Sequence, residues 1–166
     1  MAEQTQLEQR TAEVYVDAAQ ETVYDVIADI PRMSEWSPDL EWVTFTEGYR
    51  ETAEGAKFQW RNQIGPIKWT DDCKVRVARR GEELAWDVVD GEWPVTRWRF
   101  QMEPQDGGTR LMETVELVRV PKSSKVLWLF QGGVDGHMEK LQEGMNQTLK
   151  QIKSEVEQEQ HAAVAS

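Results

Sequence analysis

Apolar positions along this chain follow two rhythms that alternate from one end to the other. Near the N-terminus Ala12, Val14 and Val16 alternate with polar residues and predict a strand within residues 11–18. Val23, Ile27 and Ile30 then recur at spacings of four and three, widened by Tyr24 and Val26, which predicts a short amphipathic helix. Pro31 is expected to end it, because the residue before a proline is driven out of the α region. The stretch RMSEW suits one further helical turn before Ser37-Pro38. From residue 40 onward the period is two, and strands are expected at 40–46, 57–64, 67–79, 83–89, 95–103 and 109–118. Gly65-Pro66, Arg80-Gly81 and Asp106-Gly107-Gly108 punctuate them, the last as a strong hairpin signal.

Beyond Pro121 the helical rhythm returns. VLWLFQGG reads as a short helix broken at Gly132-Gly133. Val134, Met138, Leu141, Met145, Leu149, Ile152 and Val156 then define one stripe of a long helix. Residues 1–10 and 158–166 carry no such pattern and read as disordered tails around one domain at 11–157. Consecutive strands joined by tight turns pair antiparallel, and a sheet with one apolar face needs a cover. The expected fold is therefore α+β: a curved antiparallel sheet wrapped around a long C-terminal helix.

Charge narrows the function classes. A formal net charge of −11 leaves no basic footprint for phosphates, so nucleic acid is excluded as a partner and an anionic membrane surface is disfavoured. No apolar run is long enough to span a bilayer, and the N-terminus lacks the pattern of a signal peptide. One cysteine, Cys73, precludes an intrachain disulfide and is consistent with a cytoplasmic setting. It reads as a small buried hydrophobe, with no basic neighbour on its strand face to make a thiolate. Two histidines, His137 and His161, make no metal constellation with it. His137 is expected as a capping or surface residue at the start of the long helix. No cofactor motif is present.

Eight tryptophans are more than a simple small core requires. Trp60, Trp69 and Trp86 fall on the apolar phase of successive strands, and Trp98 shares its phase with Phe100 and Met102. Two readings stand for each: ordinary core packing, or the wall of a pocket for a flat or apolar ligand. Met138, Leu141 and Met145 on the long helix would face that wall. Trp36 reads as a plug at the pocket mouth or as a staple pinning the short helix to the sheet edge. Trp42 has no assignable side, and Trp93 reads as a loop anchor. Gly132, Gly133 and Gly136 read as a hinge or as a plain break.

Three polar residues sit on apolar phases. Asp71 lies in step with Ile67, Trp69, Cys73, Val75 and Val77; Asn62 and Glu113 are the counterparts on their own strands. A carboxylate facing an apolar interior is costly unless paired or protonated. These residues would either orient a ligand and act as acid or base, or, for Asp71, lie on a bulge that turns the side chain to solvent.

VYVDAAQETVYDVIADIPRMSEWSP, GAKFQWRN, WTDDCKV, PVTRWRFQMEPQDGGTRLMET and EGMNQTLKQIKSEVE together resemble the START-like, or SRPBCC, superfamily of helix-grip proteins. Within it the chain is similar to small bacterial proteins of the polyketide cyclase/dehydrase-like group, over about residues 11 to 157. The resemblance implies a deep hydrophobic cavity between the sheet and the long helix. Three functions remain open: a binder of a small hydrophobic molecule (lipid, polyketide, isoprenoid or aromatic), a polyketide cyclase/dehydrase-type enzyme using Asp71 or Glu113, and a protein-interaction module. Either a monomer or a homodimer is compatible with each.

Overall fold

The computed structural model describes residues 8–120 and 132–165. Strand β1 (Gln9–Val16) leads into helix α1 (Gln20–Ile27), a 3-10 turn (Ile30–Arg32) and the single turn of α2 (Met33–Trp36). Strands β2 (Leu40–Phe45), β3 (Lys57–Ile64), β4 (Ile67–Arg79), β5 (Glu83–Asp90), β6 (Trp93–Gln105) and β7 (Gly108–Leu117) follow, and helix α3 (Gly133–Ala165) closes the chain. VLWLF and Trp128 lie outside the described residues.

All seven strands form one antiparallel sheet in the order β1-β7-β6-β5-β4-β3-β2. Six consecutive strands make a meander, joined by short turns from β3 to β7 and by a longer connection at 46–56 between β2 and β3. Asp106 and Gly107 both hold positive φ, the geometry of a two-residue primed turn, and Gln105 faces Gly108 across it. The sheet curls around α3, which packs against β1, β7, α1 and α2. Met138, Met145, Leu149, Ile152 and Val156 of α3 are buried against the inner face, where Phe58, Leu84, Trp86, Phe100, Leu111 and Val115 lie. Lys153 fixes the helix to the first strand by donating to the Tyr15 carbonyl at 2.7 Å and pairing with Glu157 at 2.7 Å. On the outer face Asp87 pairs with Arg76 and Arg97, and Glu83 with Arg79 and Arg99, so the convex side is a ladder of charges.

Several expectations are corrected in detail. Helix α1 stops at Ile27, and Pro31 belongs to the next 3-10 turn, where a residue without an N–H suits a first-turn position. Strand β1 begins at Gln9 and α3 continues to Ala165, so ordered structure reaches into both segments read as tails. Val134 is exposed at the helix start rather than part of its buried stripe. A register shift between Val75 and Val77 pairs Val77 with Ala85 and Ala78 with Leu84, so Ala78 takes the inner face and Val77 leaves it. A second shift between Leu40 and Trp42 puts Val43 in the core and leaves Trp42 exposed.

Tyr15 crosses the β6–β7 turn and donates to the Asp106 carbonyl at 3.2 Å. A Cβ at Gly108 would lie 2.5 Å from the Val16 carbonyl oxygen and 2.6 Å from the Tyr15 hydroxyl. Because one clashing atom is backbone, Gly108→Ala is expected to cost about 1–3 kcal/mol, read from the urea-unfolding midpoint.

Candidate functional site

Strand register assembles an aromatic wall on the inner face. Trp86 and Trp98 are direct cross-strand partners and stack at 6.3 Å with an angle of 4°. Trp60 meets both edge-on, at 6.1 and 5.6 Å between centroids. Phe58 and Phe100 extend the cluster on either side of Trp86. Such perpendicular and offset contacts are the favoured arrangements of aromatic quadrupoles.

Between this wall and α3 the packing is incomplete. A cavity of about 60 Å³ is bounded by Trp60, Trp86, Trp98 and Glu113 on the sheet and by Leu141 and Met145 on the helix. It opens beside Ser37, Pro38, Asp39, Gly144 and Thr148. At that mouth Thr148 donates to the Gly144 carbonyl at 2.8 Å, so the Ser37 hydroxyl donates to Thr148 at 3.1 Å. A second hollow of about 300 Å³ shares Trp60, Asn62, Trp98 and Leu141 with the first and reaches Trp69, Asp71, Val95 and His137. Trp60, Asn62, Trp98 and Leu141 are therefore the shared wall between two spaces.

Asp71 is the polar anchor of the wall. Its Oδ2 accepts from Trp60 Nε1 at 2.9 Å, Asn62 Nδ2 at 2.8 Å and Trp69 Nε1 at 3.2 Å. The β3–β4 register runs unbroken through Asp71, so the solvent-facing bulge is not formed. Burial raises its pKa, and the three N–H donors pull against that rise. With one oxygen committed to three donors, this carboxylate orients indoles.

Glu113 has the opposite surroundings. It is 4% exposed, faces Ala12 and Phe100 across the strands, and its Oε2 has no hydrogen-bond partner among the described residues. Burial alone pushes its pKa up to about 8, so it holds its proton near neutrality. His137, expected at the surface, is instead buried at the edge of the second hollow, and burial brings its pKa down to about 4. Asp39 at the cavity mouth is raised by burial as well. Cys73 is buried, with its thiol pushed well above its ordinary range by burial first and by neighbouring carboxylates next. No group of three or more His, Cys, Asp and Glu among the described residues is placed to hold a metal ion.

The family model for polyketide cyclase / dehydrase and lipid transport matches residues 9–157. The chain belongs to this family. Within it stands the START-like superfamily architecture, a curled antiparallel sheet gripping a C-terminal helix. Among solved structures, the chain is similar to the polyketide-cyclase-like protein Cgl2372 from Corynebacterium glutamicum, with 30% identity, coverage of 92% of this chain and 94% of that one, and a TM-score of 0.54. The di-domain ARO/CYC protein StfQ from the steffimycin biosynthetic pathway matches at 12% identity and a TM-score of 0.72, over 92% of this chain and 51% of StfQ. The ginseng major latex-like protein 151 from Panax ginseng matches at 8% identity and 0.66, over 90% and 97%. No curated protein sequence matches the chain.

Within this family member, the structure brings together Trp60, Asn62, Trp86, Trp98, Leu141, Met145 and Glu113 around the first cavity, and Trp69 and Asp71 around the second hollow. Phe100 and Met138 are buried in the core and line neither space. Trp36 is buried in α2 with the Arg32 guanidinium 5.3 Å above its ring, and Arg32 reaches Glu155 on α3 at 2.6 Å. Trp36 also lines neither space; Met33 and Ser37 beside it do line the cavity. Trp93 heads β6 and is 65% exposed, under Arg119. Gly132 and Gly133 both hold positive φ where α3 begins, and Gly136 lies within the helix. Sequence reasoning missed Ser37, Asp39, Gly144 and Thr148 at the mouth. The signal was present on α3, since Gly144 and Thr148 stand three and seven positions after Leu141 and place small side chains on its inner stripe.

Two outcomes follow from the carboxylates. Between pH 4.5 and 8 unfolding releases the Glu113 proton, so stability falls with rising pH by about 1.4 kcal/mol per unit and levels off above 8. His137 acts in the other direction between 6.5 and 4, since it must take up a proton only when unfolded. The slopes oppose each other below 6.5 and leave Glu113 alone from 6.5 to 8. Across that window wild type is expected to lose stability while Glu113→Gln stays level, read from urea midpoints; parallel declines would contradict the buried acid. Asp71→Ala is expected to cost about 1–3 kcal/mol and to shift tryptophan emission to the red, because the indole N–H groups of Trp60 and Trp69 lose their common acceptor.

Proposed function

We propose that this protein binds a small, largely apolar molecule in the cavity between the sheet and α3. The observation that carries the reading is the unfilled space against Trp60, Trp86 and Trp98, with Gly144 and Thr148 at its mouth. An apolar group entering it gains about 25 cal/mol per Å² of surface removed from water. The ligand classes that suit such walls are lipids, polyketides, isoprenoids and aromatics, and membership of a family described by cyclisation, dehydration and lipid transport supports that range. In this reading the protein works in the cytoplasm, as a monomer or homodimer.

A second reading, a cyclase- or dehydrase-type enzyme in the same cavity, is favoured by one observation. Glu113 keeps its proton near neutral pH and can pass it to the oxygen of a bound ketone. Asp71 is the weaker acid–base candidate, because its Oδ2 is already shared by three donors.

Native mass spectrometry of protein purified from its own host is expected to find a bound small molecule that quenches indole fluorescence. Leu141→Trp, which places an indole in the wall shared by both spaces, is expected to weaken that binding at least tenfold, in line with loss of at least about 55 Å² of apolar burial, without unfolding the protein. A variant that binds as well as wild type would place the ligand elsewhere.

A further inference from the structure

Three polar side chains stand at the cavity mouth, and a chain of hydrogen bonds fixes what they can offer a ligand. Thr148 spends its hydroxyl proton on the Gly144 carbonyl at 2.8 Å, so Ser37 spends its own on Thr148 at 3.1 Å. What remains available on the Ser37 hydroxyl is lone pairs. Asp39, two residues further on, lines the same cavity and also an outer hollow that it shares with Lys140, Glu143 and Gln147. Its carboxylate lies against α3 where Gly144 has no side chain, since a Cβ there would stand 3.2 Å from Asp39 Oδ2. Asp39 is partly buried, yet no described residue donates a hydrogen bond to its carboxylate, and neither oxygen is sealed from solvent. Ser37 and Asp39 thus both face an incoming group as acceptors.

We propose that Asp39 selects the ligand by its head group, accepting a hydrogen bond from a hydroxyl or ammonium at the mouth while the apolar end lies against Trp60, Trp86 and Trp98. This inference rests on the cavity-binding reading above and adds the head-group chemistry to it. A ketone or ester head can only accept, so it would meet Asp39 lone pair to lone pair. It would also strip water from the carboxylate and leave no donor in its place, which costs more than a missing contact. A carboxylate head would bring its charge beside Asp39 and Glu143, against Lys140 alone on the other side. An alcohol or an amine supplies the donor that the fold withholds. An ammonium also offsets a charge that burial disfavours. The space against the indoles is about 60 Å³, so it takes a short chain end or a single ring. The ligand class is therefore an aliphatic or aromatic alcohol or amine with one apolar end, in preference to a fatty acid, an ester or a ketone.

The test uses a matched set of probes: 1-hexanol, hexylamine, 2-hexanone and hexanoate. Each is titrated calorimetrically into the full chain in neutral buffer. The probes partition differently between water and oil, so the decisive quantity is the change in their affinity ratios when Asp39 is altered. Asp39→Ala is expected to lower the preference for 1-hexanol over 2-hexanone about tenfold, as loss of one hydrogen bond to a charged acceptor would give. The preference for hexylamine over hexanoate is expected to fall at least as far, because a charge is lost with the acceptor. Asp39→Asn puts an N–H in the same shape and is expected to strengthen the binding of 2-hexanone. Neither substitution removes a hydrogen bond that the Asp39 side chain makes within the described fold. Affinity ratios that are the same in wild type, Asp39→Ala and Asp39→Asn would overturn the head-group selection and leave the cavity reading standing. Binding of none of the four probes by wild type would overturn the cavity reading and the selection with it.

Discussion

A sheet that is apolar on one side has to be covered, and the indoles on that side decide how closely the cover can approach. Trp60, Trp86 and Trp98 meet near the centre of the inner face, locked edge-to-face and stacked. Rigid rings have two torsions and cannot fold away to fill a gap, as a methionine or leucine can. Helix α3 rests on the inner face through Met138, Met145, Leu149, Ile152 and Val156. Beside Met145, Gly144 and Thr148 supply little bulk, and a space between helix and indoles stays open. The cavity lies where the rigid indoles of one layer meet the small residues that flank Leu141 and Met145 on the other.

Two carboxylates on the same apolar face have been given opposite tasks by their neighbours. Asp71 stands beside three N–H groups, which share its Oδ2 as acceptor. It fixes the rotamers of two indoles and so sets the shape of the wall shared by the two spaces. Glu113 faces Ala12 and Phe100, its Oε2 has no partner among the described residues, and burial keeps it protonated. One is held by N–H donors and the other, left to burial, keeps its proton. Without Asp71 the wall would lose its fixed geometry.

The clamps at the rim belong to the same design. Arg32 covers Trp36 and binds Glu155, and Ser37 donates to Thr148, so α2 and α3 are tied on both sides of the opening. Each tie is small, since partly exposed ion pairs contribute little. Together they hold a single helical turn that has almost no stability of its own.

Periodicity alone determined most of the architecture. A side chain on a strand must alternate faces, and a helix must repeat at 3.6, so β3 and β4 were legible to the residue and the stripe of α3 nearly so. The same rule put Trp60, Trp86, Trp98, Asn62, Asp71 and Glu113 on the apolar phase of their strands, because alternation is a local property, while leaving open which face of each strand lines a cavity and whether Asp71 turns to solvent. What the sequence left open was whatever depends on neighbours far along the chain. The register shift at Val75/Val77 moved Val77 off the inner face, since a bulge is set by the partner strand and not by the strand that carries it. Trp36 and Phe100 have the chemistry of pocket residues and yet line neither space: Trp36 lies under the Arg32 guanidinium, and Phe100 packs against Trp86. Which buried carboxylate is held by donors is decided by what the fold brings within hydrogen-bond reach, and only the tertiary structure brings Trp60, Asn62 and Trp69 to Asp71 and leaves Glu113 Oε2 without a partner among the described residues.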